Sequence, residues 1–158
     1  MWREFRTLQG MRRSVATLIL LSLFAGCAEK SPSAPSASAP TVTGTWVGTV
    51  TIDGVTARMT WTLTQTDSSV SGPVLVGFPS GTVLLNGFLT GSVLGATLPY
   101  VISVGPGGIP TRPTCVGQLS GTMAVNLGAT STLEGPMAIT SSTCTPPLTG
   151  STLTLTRQ

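Results

Sequence analysis

From Val55 to Thr66 the chain reads VTARMTWTLTQT, with Ala57, Met59, Trp61 and Leu63 alternating with Thr56, Arg58, Thr60, Thr62 and Thr64. On an extended backbone this spacing collects every apolar side chain on one face, whereas a helix would scatter them around its circumference. The pattern predicts a strand with one face in a core and the other in water. The pattern recurs toward the N-terminus, where Trp46, Gly48, Val50 and Ile52 alternate with Thr45, Val47, Thr49 and Thr51. Asp53-Gly54 then supplies a two-residue hairpin turn. Further strands are predicted near 69–78, 82–90, 94–104, 115–126, 131–140 and 148–157, each bounded by Gly, Pro, Asn or Asp. In the last three, Leu119, Met123 and Val125, then Leu133, Met137 and Ile139, then Leu153 and Leu155 form the inward sets. About eight antiparallel strands in sequential order can remove their edges by closing into an up-and-down barrel, with a two-sheet sandwich as the alternative.

Composition agrees with an all-β chain. Of 158 residues only 8% are charged, 19 are Gly and 12 are Pro, and there is no His. The net charge of +3 does not mark a nucleic-acid protein, because Arg3, Arg6, Arg12 and Arg13 against Glu4 account for it. From residue 27 onward Lys30, Arg58, Arg112 and Arg157 balance Glu29, Asp53, Asp67 and Glu134. A phosphate-backbone partner would need clustered cations, and these are isolated.

The N-terminal region reads as an export leader. From Met11 it runs MRRSVATLILLSLFAGC, with two arginines, a short apolar run and small residues before Cys27. The run is about half of the roughly 20 residues that a spanning helix needs. Met11 suits the start of such a leader, since residues 1–10 have no place in it. Leu23-Phe24-Ala25-Gly26-Cys27 resembles the lipobox of bacterial lipoproteins, with Phe24 in place of the usual Leu. The resemblance implies cleavage after residue 26, lipidation (palmitate among the acyl chains) at Cys27 and attachment to a membrane. With Ala28, not Asp, after the cysteine it further implies the outer membrane, facing the periplasm or the surface. An ordinary cleaved signal with an incidental cysteine is the alternative. Residues 29–40, EKSPSAPSASAP, carry no apolar side chain larger than alanine and read as a tether. The organisation expected is therefore leader 1–26, lipidated cysteine and linker 27–41, and barrel 42–158.

With Cys27 lipidated, Cys115 and Cys144 remain in an exported domain, and an even pair there predicts a disulfide. Their numbers sum to an odd value while facing residues of the sixth and seventh strands should sum to an even one. Without a bulge they cannot be a direct cross-strand pair, so the bridge is expected to tie strand ends or loops.

Thr43-Gly44-Thr45-Trp46 at the start of the domain resembles the G-x-W opening of lipocalins and the T-G-T-W opening of avidins. Arg157 ends the last strand in phase with Leu153 and Leu155. In the lipocalin-like group an arginine late in the barrel packs on the first tryptophan, which implies a closure contact between Trp46 and Arg157. The further lipocalin loop motifs and the later avidin tryptophans are missing, so the resemblance implies a fold and no particular ligand.

Catalysis is poorly provided for. The domain has no His, no free thiol once the disulfide forms, and few carboxylates: Asp53 and Asp67 sit in turn signals, and Glu134 lies on an outward phase. Ser and Thr without a neighbouring base are not activated nucleophiles. No enzyme, metal or cofactor is expected. Gly105 to Thr114 reads as a long loop at the barrel mouth, stiffened by Pro106, Pro110 and Pro113.

Two functions are compatible with this chain. In the first, the barrel binds a small apolar ligand, lined by Met59, Trp61, Tyr100, Met123 and Met137, with inward glycines leaving space. In the second, Trp46 and those large side chains fill the barrel, and its exterior docks to another envelope component. The stretch from Val74 to Val104 bears on the second reading because both faces are apolar: Val74, Leu75, Val76 and Phe78, then Val83, Leu84, Leu85, Phe88 and Leu89, then Leu94, Leu98, Tyr100 and Ile102. Such strands are either covered or present an apolar patch to a partner or membrane.

Overall fold

The computed structural model describes residues 41–52, 54–145 and 150–158. The leader, Cys27 and the tether up to residue 40 lie outside these residues, as does Asp53. The described chain is all-β, with β1 (Gly44–Ile52), β2 (Val55–Thr66), β3 (Ser69–Gly77), β4 (Val83–Ser92), β5 (Thr97–Val104), β6 (Gly117–Asn126), β7 (Thr132–Ser142) and β8 (Ser151–Arg157). Each pairs antiparallel with its sequence neighbour, and β8 returns to β1, so the sheet is a closed eight-stranded barrel. The sandwich alternative is excluded.

Alternation decides which side chains fill it. Ala57, Met59, Trp61 and Leu63 on β2 face inward and are buried, and the threonines between them face out. β5 begins at Thr97 instead of 94, because Leu94 and Thr97 pair across a tight turn in which Gly95 takes a φ of 60°. The strand pattern upstream of that turn belongs to β4.

The inward glycines do not leave space, so of the two interiors the sequence allows the filled one is found. A Cβ on Gly72 would fall on the Thr62 carbonyl oxygen, and one on Gly121 on that of Pro136. At these positions the neighbouring strand has closed in on the bare backbone, which lets the sheet coil tightly. The core is one continuous cluster in which Trp46, Trp61, Leu89, Leu98, Met123, Leu133 and Leu155 are fully enclosed.

A bulge sets the position of the two cysteines. Along most of β6 and β7 the register pairs Leu119 with Ile139 and Ala124 with Glu134. Beyond Gln118 it slips by one residue, so that Gln118 faces Ser141 and Gly117 faces Ser142. The slipped ladder continues past the strand ends through Thr143 N, which donates to the Val116 carbonyl at 3.0 Å. It brings Cys115 and Cys144 opposite each other, with 5.7 Å between their Cα atoms, joined in a disulfide. The pair therefore lies just beyond the strands, as expected, but in register with them.

Candidate functional site

At one end of the barrel the chain leading into β1 crosses beneath the core. Trp46 Nε1 donates to the Val42 carbonyl at 2.8 Å, and the Val42 amide donates to Gln65 Oε1 at 2.9 Å. Arg157, the direct cross-strand partner of Trp46, lays its guanidinium over the indole with Cζ 4.9 Å from the ring centroid. Its Nη2 donates to the Thr41 carbonyl and, at 2.6 Å, to that of Thr43. The cation is thus held by a π face and two carbonyl oxygens. Chemically this is a structural clamp that binds the first described residues to the last strand, with the Arg157 Nε buried and without a partner among the described residues.

Met59, Trp61, Tyr100, Met123 and Met137 all point into the barrel and all are buried. They meet as packing partners. Trp61 and Tyr100 form an edge-to-face pair with centroids 5.0 Å apart, and the Tyr100 hydroxyl donates to the Pro136 carbonyl at 3.1 Å. Burial pushes the Tyr100 phenol well above its ordinary value, because the phenolate would be desolvated there. Trp61 Nε1 is buried with no hydrogen-bond partner among the described residues.

At the opposite end, Gly105–Val116 folds over the mouth. The Asn86 amide donates to the Gly108 carbonyl at 2.6 Å, and Ile109, 5% exposed, plugs the opening. The cavity under the plug is lined by Leu85, Val104, Cys115, Leu119 and Ile139 and measures about 20 Å³. That is room for about one water, where ligand sites occupy roughly 300 Å³ or more.

The exterior carries the rest. No charged residue occurs from Ser68 to Thr111, a stretch that spans β3, β4 and β5. On its outward face Phe88 is 50% exposed and Leu75 41% exposed. Pro73 lies directly across from Phe88, so the apolar side chains are neighbours. The loss of alternation between Val74 and Val104 marks this stretch in the sequence. It could not tell that Phe78 and Leu84, from the same apolar stretch, are partly buried against the core.

Among the described residues no three His, Cys, Asp or Glu side chains gather as metal ligands would. Comparison with protein-family models, with curated proteins and with solved structures returned no match.

Proposed function

We propose that this protein is a lipid-anchored component of a bacterial envelope whose barrel is a solid docking body, non-enzymatic and held to the membrane through Cys27. The observation that carries the reading is the packed interior. The side chains that would line a ligand chamber instead fill it, and the cavity at the mouth is far too small for a drug-sized molecule. Binding of a small apolar ligand inside would require the plug to leave and the core to repack, and a docking role requires neither.

The uncharged outward face of β3, β4 and β5 supports a partner on that side, since exposed Phe88 and Leu75 favour burial. Two measurements test the proposal. Cys27→Ser should move the protein from the membrane to the soluble fraction without unfolding the barrel. A photo-crosslinking residue at Phe88 should give a discrete envelope-protein adduct in cells, while one at Thr140, on β7, should not. Retention of the Cys27→Ser protein on membranes would refute the anchor, and crosslinking equal at both positions would refute the docking face.

A further inference from the structure

Outside the barrel, on the flank of the face just described, residues of β1, β2, β3, β4 and β8 and the β3–β4 loop line an open cleft of about 770 Å³. Register places its floor. Thr49 lies opposite Arg58, Thr60 lies between Val47 on β1 and Leu75 on β3, and Arg58 faces Gly77 across to β3. All of these except Gly77 carry outward side chains, and a Cβ at Gly77 would come within 3.1 Å of the Thr82 carbonyl oxygen, so the β3–β4 loop closes in beside this position. The β3–β4 loop forms a wall. Phe78 N donates to the Thr82 carbonyl and Gly81 N to that of Phe78, both at 2.9 Å, and the Phe78 ring is partly sunk against the core.

The charges single out this cleft. Arg157 donates to carbonyls at the closed end, and Arg112 donates to the Thr145 carbonyl beside the mouth. Arg58 makes no hydrogen bond or ion pair among the described residues. Among the described residues it is an uncommitted guanidinium, on the floor of a cleft whose volume falls in the range of small-molecule sites. A guanidinium presents a planar fork that fits carboxylate or phosphate oxygens in pairs. Threonine hydroxyls beside it add donors, and Val47, Leu75 and Phe78 offer an apolar wall on either side.

We propose that this cleft binds an anionic amphiphile, a molecule with one carboxylate or phosphate head and an apolar arm. The head pairs with Arg58 and the Thr49 and Thr60 hydroxyls, and the arm lies along Leu75 and Phe78. This site shares Leu75 with the flank of the docking face, but its test reads Arg58 and depends neither on a partner at Phe88 nor on lipidation of Cys27.

The test uses the full-length chain carrying Cys27→Ser, titrated with dodecyl phosphate below its micelle concentration, with inorganic phosphate and with dodecanol, and followed by calorimetry and amide chemical shifts. Dodecyl phosphate should bind at least about tenfold more tightly than either of the others, since each of those lacks one half of the recognition. Its shifts should map to β1, β2 and the β3–β4 loop. Arg58→Gln should weaken it about tenfold or more, and Arg58→Lys should recover only part, because an ammonium lacks the bidentate fork. Unchanged thermal unfolding of both variants would show that the loss is not a folding defect. Vesicles of phosphatidylcholine with and without phosphatidic acid identify the source: binding to the anionic vesicles assigns the head group to a lipid in a bilayer, and binding to dodecyl phosphate alone assigns a free amphiphile. Equal affinity for dodecanol, undiminished binding by Arg58→Gln, or no binding of dodecyl phosphate would overturn the proposal.

Discussion

Trp46 and Arg157 face each other across the seam where the first and last strands meet, the guanidinium carbon 4.9 Å from the indole centroid. The contact combines a cation over a ring with charge-assisted bonds to the Thr41 and Thr43 carbonyls. Arg157→Lys keeps the charge and loses the planar stack, and is expected to cost about 1 kcal/mol. Arg157→Ala also strands the carbonyls and should cost about 2 to 3 kcal/mol. Urea unfolding of the three proteins measures both. Equal stability of wild type and Arg157→Ala would show that the clamp contributes nothing.

The two core tryptophans should respond differently to the same change. Trp46 donates to the Val42 carbonyl and carries Arg157, whereas the Trp61 Nε1 donor is buried without a partner among the described residues. Replacing either by Phe opens some volume, but Trp61→Phe also removes an unpaired donor that costs roughly 1 to 3 kcal/mol when buried. Trp61→Phe is therefore expected to be the milder substitution, by about 1 kcal/mol or more. Thermal denaturation of both variants decides it.

The chain has one tyrosine, so its ionisation can be followed by tyrosinate absorbance. Tyr100 titrates above its ordinary value of about 10 because burial disfavours the phenolate. A raised folded value means that the group's full contribution is present below pH of about 10. Above that pH the unfolded chain releases the proton and the folded chain keeps it, so stability falls, by up to about 1.4 kcal/mol per pH unit from this group. Tyr100→Phe should flatten that alkaline slope while costing about 1 kcal/mol at neutral pH for the lost bond to Pro136. An alkaline slope unchanged in Tyr100→Phe would assign the loss to other groups.

Cys115 and Cys144 close a loop with a sequence separation of 29. In the chain-entropy model such a link stabilises by roughly 3 to 4 kcal/mol. Reduction, or Cys115→Ser with Cys144→Ser, should lower the unfolding midpoint accordingly and leave the β-sheet circular dichroism intact, since the barrel ladders do not pass through the bridge. Two alkylatable thiols in the oxidised protein would contradict the pairing.

Much of this fold is legible in residue order. β2 is predicted residue for residue, since its alternation is unbroken and both its ends are turns. The bulge between β6 and β7 is not legible. An extra residue there shifts pairing without disturbing composition, so parity indicates that Cys115 and Cys144 need a bulge and cannot say that one exists. The role of the inward glycines is hidden for a related reason: an absent side chain reads the same whether a ligand or the next strand takes its place. Arg58 stands in the sequence as a lone cation on a solvent face. Only the pairing of β2 with β1 on one side and β3 on the other brings Val47, Leu75 and Phe78 around it, and that register is set by the hairpins, not by composition.

The clamp also bears on the order of folding. Seven of the eight strand pairings join neighbours in sequence, and hairpins of that kind form in microseconds. The seam between β1 and β8 is different, because Arg157 reaches a carbonyl 114 residues away. Its loop entropy must be met before the contact gives anything back. A chain threaded from its N-terminus would accumulate a curling, open sheet whose β1 edge has no partner until β8 arrives. The seam should accordingly have a φ-value near zero, so that Arg157→Ala speeds unfolding and leaves the folding rate nearly unchanged. The clamp would then act as a latch on lifetime, with little part in how the barrel is reached.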